Sequence, residues 1–152
     1  DYPNDAVRNV APNADDRIIP ETDPLNGSAV QKYVTVSASL KNAAADLMIY
    51  LDYYNDVNSD FEIYVKKLLQ YGDLEMDETP WMKVNIADKV NVLNVDEKIE
   101  GEWKCSELVD GWNDAVTDEP ILFIGYKIKI VGYAKNTAKP SRFGNLRGIA
   151  VT

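Results

Sequence analysis

The stretch ILFIGYKIKIVGYA, residues 121 to 134, is the most strand-like run in the chain, and its reading decides the fold. Its side chains alternate with period two: Tyr126, Ile128 and Ile130 on one face, Lys127 and Lys129 on the other. Aromatic and β-branched residues dominate it, the composition that suits a pleated, half-buried surface. The apolar row is expected to face a core and the two lysines to face water.

Working outward, the same pattern recurs in short pieces. KYVTVSASL (32–40) sets Val34, Val36, Ala38 and Leu40 against Tyr33, Thr35, Ser37 and Ser39. DLMIYLDYY (46–54) alternates through Leu47, Ile49, Leu51 and Tyr53. FEIYVKKLLQ (61–70) puts Phe61, Ile63 and Val65 on one face. Phe61, Val65, Leu68 and Leu69 also fit a helical stripe, but the β-branched residues and a hairpin with the preceding run favour a strand. WMKVNI (81–86), VNVLNV (90–95) and KIEGEWKCSEL (98–108) read as further strands, with Gly101 expected to mark a bulge or bend. NDVNSD (55–60), YGDLEMDETP (71–80), VDGWNDAVTDEP (109–120) and TAKPSRFGN (137–145) read as turns or loops. LRGIAV (146–151) is the last strand, with Leu146, Ile149 and Val151 available to pack. Seven or eight short strands without a long helix predict an all-β fold. We expect an antiparallel β-sandwich over residues 31–152, jelly-roll-like in size.

Residues 1–30 differ. They hold four of the seven prolines and many Asp and Asn, and no hydrophobic period survives. This is the composition of an extended N-terminal arm, ordered only when something receives it. The chain begins at Asp1, as expected of a processed product or of part of something longer.

The chain of 152 residues suits one domain with a core that needs no disulfide or metal staple. Its single cysteine, Cys105, excludes an intrachain disulfide, and no apolar run approaches a membrane span. The net charge of −9 argues against nucleic acid and anionic membrane as partners. Its distribution is uneven: no acidic residue follows Glu119, and six basic residues stand there. Lys139, Arg142 and Arg147 are candidate contacts for an acidic neighbour or for another copy of the chain.

Candidate chemistry is sparse. No histidine is present, which removes Ser-His-Asp and Cys-His sites and most zinc sites. Cys105 without a base reads as a small core residue. Asp56, Asn58 and Asp60 begin like a calcium loop, but Phe61 and Lys67 stand where that loop needs Gly and Glu. Asp73, Glu75, Asp77 and Glu78 read as a solvated acidic loop, with a hard-cation site or a glycosidase carboxylate pair as lesser alternatives. Trp81, Trp103 and Trp112 are read as core or cross-strand aromatics, with a sugar-binding platform as the rival. Trp112, in a turn, is the one expected to be exposed. No catalytic residue, metal site or cofactor is expected.

Three stretches together resemble a domain that recurs in virion structural proteins of tailed phages, especially contractile-tailed cyanophage and marine myovirus types. The first runs from KYVTVSASLKNAAADLMIYLDYY through FEIYVKK (32–67). The second is DETPWMKV (77–84), and the third is YKIKIVGYAKNTAKPSRFGNLRGIAV (126–151). Gly148 departs from the pattern, which commonly has a slightly larger small residue. The resemblance implies a C-terminal β-sandwich module of a baseplate or tail-fibre protein, non-catalytic and located in the extracellular particle. Its implied partners are other virion proteins and copies of itself, with host-surface glycan as a further candidate. Two alternatives stand beside it: an extracellular filament subunit that donates an N-terminal strand, and a carbohydrate-binding module using Trp112.

Overall fold

The computed structural model describes residue 22 and residues 31–35, 37–55, 59–87, 89, 98–134 and 142–152. In chain order the elements are β1 (Gln31–Val34), β2 (Ala38–Ala44), β3 (Asp46–Tyr54), β4 (Ser59–Leu69), a 3-10 turn (Met76–Glu78), β5 (Met82–Val84), β6 (Ile99–Lys104), the one-turn helix α1 (Cys105–Leu108), β7 (Phe123–Ala134) and β8 (Arg142–Val151). They make two antiparallel sheets packed together, an all-β sandwich.

The run at 121–134 supplies the central strand of the larger sheet. β4 pairs with β7 from Ser59↔Ala134 to Leu69↔Phe123, so the segment with the helical alternative is a strand. β5 extends the sheet beyond β4. The other edge of β7 is shared: β1 pairs with residues 129–132 and β2 with residues 123–126. In the smaller sheet β3 lies between β6 and β8. The inward rows meet as periodicity predicts. Leu47, Ile49, Leu51 and Tyr53 of β3 face Phe61, Ile63 and Val65 of β4 and Ile128 and Ile130 of β7, all of them buried. Each such side chain taken from water contributes about 1.5–3 kcal/mol.

Several readings are corrected. KYVTVSASL is two strands: Thr35 interrupts it, its amide donating to the Ile128 carbonyl and its hydroxyl accepting from the Ile128 amide, both at 2.9 Å. The interruption changes the phase, so Tyr33 pairs with inward Ile130, Val34 turns outward, and Ala38 returns to the inner side opposite Tyr126. Gly101 marks neither bulge nor bend, because the β3–β6 register runs unbroken from Met48↔Lys104 to Tyr53↔Ile99. Its function is space: a Cβ there would lie 2.2 Å from the Trp103 ring. Lys127 and Lys129 do point away from the core, yet Lys129 is only 1 % exposed. The VNVLNV strand lies outside the described residues.

β8 begins four residues before LRGIAV, at Arg142. Its inward positions are Phe143, Leu146, Gly148 and Ala150, while Ile149 and Val151 turn outward at 47 % and 43 % exposure. The expectation that Ile149 and Val151 pack inside is therefore corrected. Gly148 has a structural reason: the Tyr126 hydroxyl donates to its carbonyl at 3.1 Å, and a Cβ would lie 2.9 Å from the Tyr126 ring.

Candidate interaction surface

The outer face of the smaller sheet carries Arg142 and Arg147, two of the three charged side chains that the sequence singled out. Its registers give the rows directly, since paired residues share a face. Across the three strands one row runs Lys104, Met48, Ile149 and the next Glu102, Tyr50, Arg147, while Arg142 stands beside Tyr54. Glu100 and Glu102 on β6 and Arg142 and Arg147 on β8 are all exposed. One margin of the face thus carries Glu100, Glu102 and Lys104 and the other the two arginines, with Met48, Tyr50 and Asp52 half-buried between them.

Two arginines five residues apart on a regular strand would face opposite ways. They share a face here because the β3–β8 register shifts between Tyr50↔Arg147 and Asp52↔Gly144. One extra β8 residue is absorbed, and Asn145 there has φ 51°, a left-handed backbone that Asn tolerates better than most residues. The Asn145 side-chain amide donates to Asp52 Oδ2 at 2.7 Å and ties the bulge to the central strand. The Arg147 guanidinium lies 5.0 Å from the centre of the Tyr50 ring, a cation–π contact with the central strand. Beyond β8 no further strand pairs among the described residues, so this row borders a sheet edge. At the other end, Asp46 Oδ1 accepts from the Ser106 amide at 2.9 Å and Oδ2 from its hydroxyl at 2.7 Å, anchoring α1 to β3.

Of the other two candidates, only Trp112 is described, and it does not join this surface. Lys139 lies outside the described residues. Trp112 is 1 % exposed, which corrects the expectation of an exposed turn tryptophan. Gly111, at φ 80°, reverses the chain and folds Trp112 back into the sandwich. There its indole N–H donates to the Ala45 carbonyl at 2.9 Å and its ring lies 5.6 Å from that of Phe123. Trp81 and Trp103 are buried as well, so none of the three offers a sugar platform.

A residue that the sequence reading passed over sits under Trp112. Lys67 is the next inward position after Phe61, Ile63 and Val65, so period two alone predicted a lysine inside. Its ammonium lies 3.8 Å from the centre of the Trp112 ring and donates to the carbonyls of Trp112 and Ile121, each at 3.1 Å. Burial pushes it down to about 8, against a smaller opposing pull from Cys105 and Asp46. Burial, with Asp46 nearby, pushes the Cys105 thiol up to about 12, so the nucleophilic thiolate is suppressed and Cys105 serves as a core residue.

The calcium-like loop falls largely outside the described residues; its Asp60 pairs with Lys89 at 2.6 Å. In the acidic loop, Glu75 and Glu78 close a capping box on the 3-10 turn. Among the described residues no three His, Cys, Asp or Glu side chains come together as a metal-binding group, and no helix is long and apolar enough to cross a membrane. Comparison with protein-family models, with curated proteins and with solved structures gave no match.

Proposed function

We propose that this chain is a structural and interaction module of a bacteriophage virion, in the tail baseplate, which joins subunits without catalysis. The resemblance of the three quoted stretches to tailed-phage virion domains supports the phage assignment. The observation that carries the interaction role is the bulged strand β8. It brings Arg142, Arg147, Ile149 and Val151 to one outer face beside a sheet edge. Basic groups beside exposed apolar side chains suit an acidic protein neighbour, with the charges setting register and encounter rate and the apolar contacts contributing affinity.

The double substitution Arg142→Glu and Arg147→Glu tests the role of the face. Both side chains are exposed, so folding is expected to be unchanged by circular dichroism and thermal melting. Incorporation into particles is expected to fall sharply in an assembly assay. Normal incorporation would remove the basic row from the interface. The assignment itself is tested by peptide mass spectrometry of purified tailed-phage particles from the source culture. Peptides from 31–152 in stoichiometric amounts support it; recovery only from cell-surface or secreted fractions refutes it.

A further inference from the structure

The outer face of the smaller sheet holds opposite charges that a single copy of the chain keeps apart. In the row Glu102, Tyr50, Arg147 the central strand lies between the two charged residues, whose backbones are about 9–10 Å apart. Both side chains are exposed, and neither has an ion pair among the described residues. The neighbouring row, Lys104, Met48, Ile149, differs, because its lysine is already matched by Asp46 at 4.0 Å and Glu107 at 3.8 Å. Ile149 and Val151 add exposed apolar surface on the same side.

Such a face can complement itself. Two copies packed face to face are related by a two-fold axis lying between the sheets, and every contact then occurs twice. An axis across the strands lays β8 on β8 and β6 on β6. It sets the basic margin against its own copy, and Glu100 and Glu102 against theirs, which is repulsive. An axis along β3 instead lays the β8 margin of one copy on the β6 margin of the other, row on row. Arg147 of each copy then stands over Glu102 of the other.

The remaining side chains suit the same axis. Packed sheets lie about 10 Å apart, a gap that an arginine and a glutamate reaching toward each other can close. Met48 and Tyr50 lie on the axis and pack on their own copies. Ile149 covers the stem of Lys104, whose charge is matched within its own chain. Asp52 also lies on the central strand, but the bond from the Asn145 amide at 2.7 Å turns its carboxylate toward β8 and off the axis. The twist of both sheets parts them toward their corners, which leaves Arg142 outside the contact.

We propose that two copies of this chain pack face to face through their smaller sheets, about a two-fold axis along β3, with reciprocal contacts between Arg147 and Glu102. A three-stranded face is small for an interface, so the dimer is a weak one, of micromolar rather than nanomolar affinity. The inference rests on the reading of this face as an interface and names its occupant as a second copy. It is tested on the isolated full-length chain, apart from any particle.

The measurement is sedimentation equilibrium over a micromolar to submillimolar concentration series. The wild type is expected to approach twice the 17.1 kDa of one chain. Arg147→Glu and Glu102→Arg each set like charges over each other, and each is expected to weaken the dimer at least about tenfold. Both positions are exposed, so the circular dichroism spectrum is expected to stay the same. An equimolar mixture of the two variants is expected to recover the dimer. In it the introduced glutamate of one chain faces the introduced arginine of the other, and the native pair remains at the second contact. A wild type that stays monomeric throughout overturns the proposal and leaves the particle-incorporation test of the face standing. Variants that dimerise as well as the wild type, or that do not pair on mixing, overturn the reciprocal contact. Masses that keep growing beyond the dimer assign the face to a head-to-tail neighbour and overturn the two-fold packing.

Discussion

Replacing Gly101 with alanine puts a single methyl group where the Trp103 ring already lies. The added Cβ would meet three ring atoms at 2.2, 2.5 and 2.9 Å. Restoring an ordinary contact of about 3.4 Å requires the ring to retreat by roughly 1.2 Å, in an interior packed as densely as a crystal. Trp103 is buried, with Tyr53 at 6.1 Å and Phe61 at 6.3 Å between ring centres, so the retreat pushes on two further aromatics. Overpacking of this kind costs about 1–3 kcal/mol. Expulsion of the ring would approach the ~3–5 kcal/mol of a Trp→Ala truncation. Gly101 does not have a positive φ, so alanine suits its backbone and restricts the unfolded chain, an offset of about 0.4–1 kcal/mol. The net expectation is a loss of up to about 4 kcal/mol, which lowers the melting temperature by about 2–4 °C per kcal/mol at this length. The assay is urea denaturation followed by far-ultraviolet circular dichroism on the four proteins of a double-mutant cycle with Trp103→Ala. In the Trp103→Ala background the same methyl group has nothing to strike, and the change should become neutral or slightly stabilising. A cost in the wild-type background no larger than in the Trp103→Ala background refutes the reasoning.

Three further outcomes follow from the same structure. Between pH 8 and its ordinary value of 10.5, folded Lys67 has lost a proton that the unfolded chain keeps, so its contribution makes stability rise with pH there. Cys105 acts oppositely: from 9.0 to about 12 the folded thiol holds a proton that the unfolded one releases, so stability falls. Relative to wild type, Lys67→Met is expected to lose the rise and Cys105→Ala the fall, each with a slope of at most about 1.4 kcal/mol per pH unit; denaturation midpoints across pH 7–11 check both. Asn145→Val, forcing a β-branched residue into a left-handed backbone, is expected to cost about 1–2 kcal/mol, with Asn145→Gly far milder in the same melts. Trp112→Ala is expected to destabilise by about 3–5 kcal/mol in chemical denaturation, the cost of a core residue; a near-neutral effect would contradict its burial.

Much of the fold was legible in the sequence because two-residue periodicity is a local property. Ile128 and Ile130, Leu47 to Tyr53, and Phe61 to Val65 each declare their buried face within a few residues, and strands with such faces have to pair. The same rule, carried one step further, puts Lys67 inside, and only the carbonyls of Trp112 and Ile121 and the indole ring explain how its charge is accommodated. The candidate surface was legible as residue types and illegible as geometry. Arg142 and Arg147 were chosen for charge, yet their common face depends on a bulge at Asn145, whose effect is defined only relative to β3. Gly101, Gly148 and Trp112 were misread or passed over for the same reason: the ring that fills the first site, the tyrosine that crosses to the second and the core that receives the third belong to the packed molecule.

What the sequence determined by itself is the class of fold and most of its strands, since alternation and turn residues are properties of neighbours along the chain. What the tertiary structure decided is which of those side chains meet: the two arginines on one edge, and the buried Lys67 over its aromatic ring. Those depend on register between distant segments, where a shift of one residue turns every side chain to the opposite face.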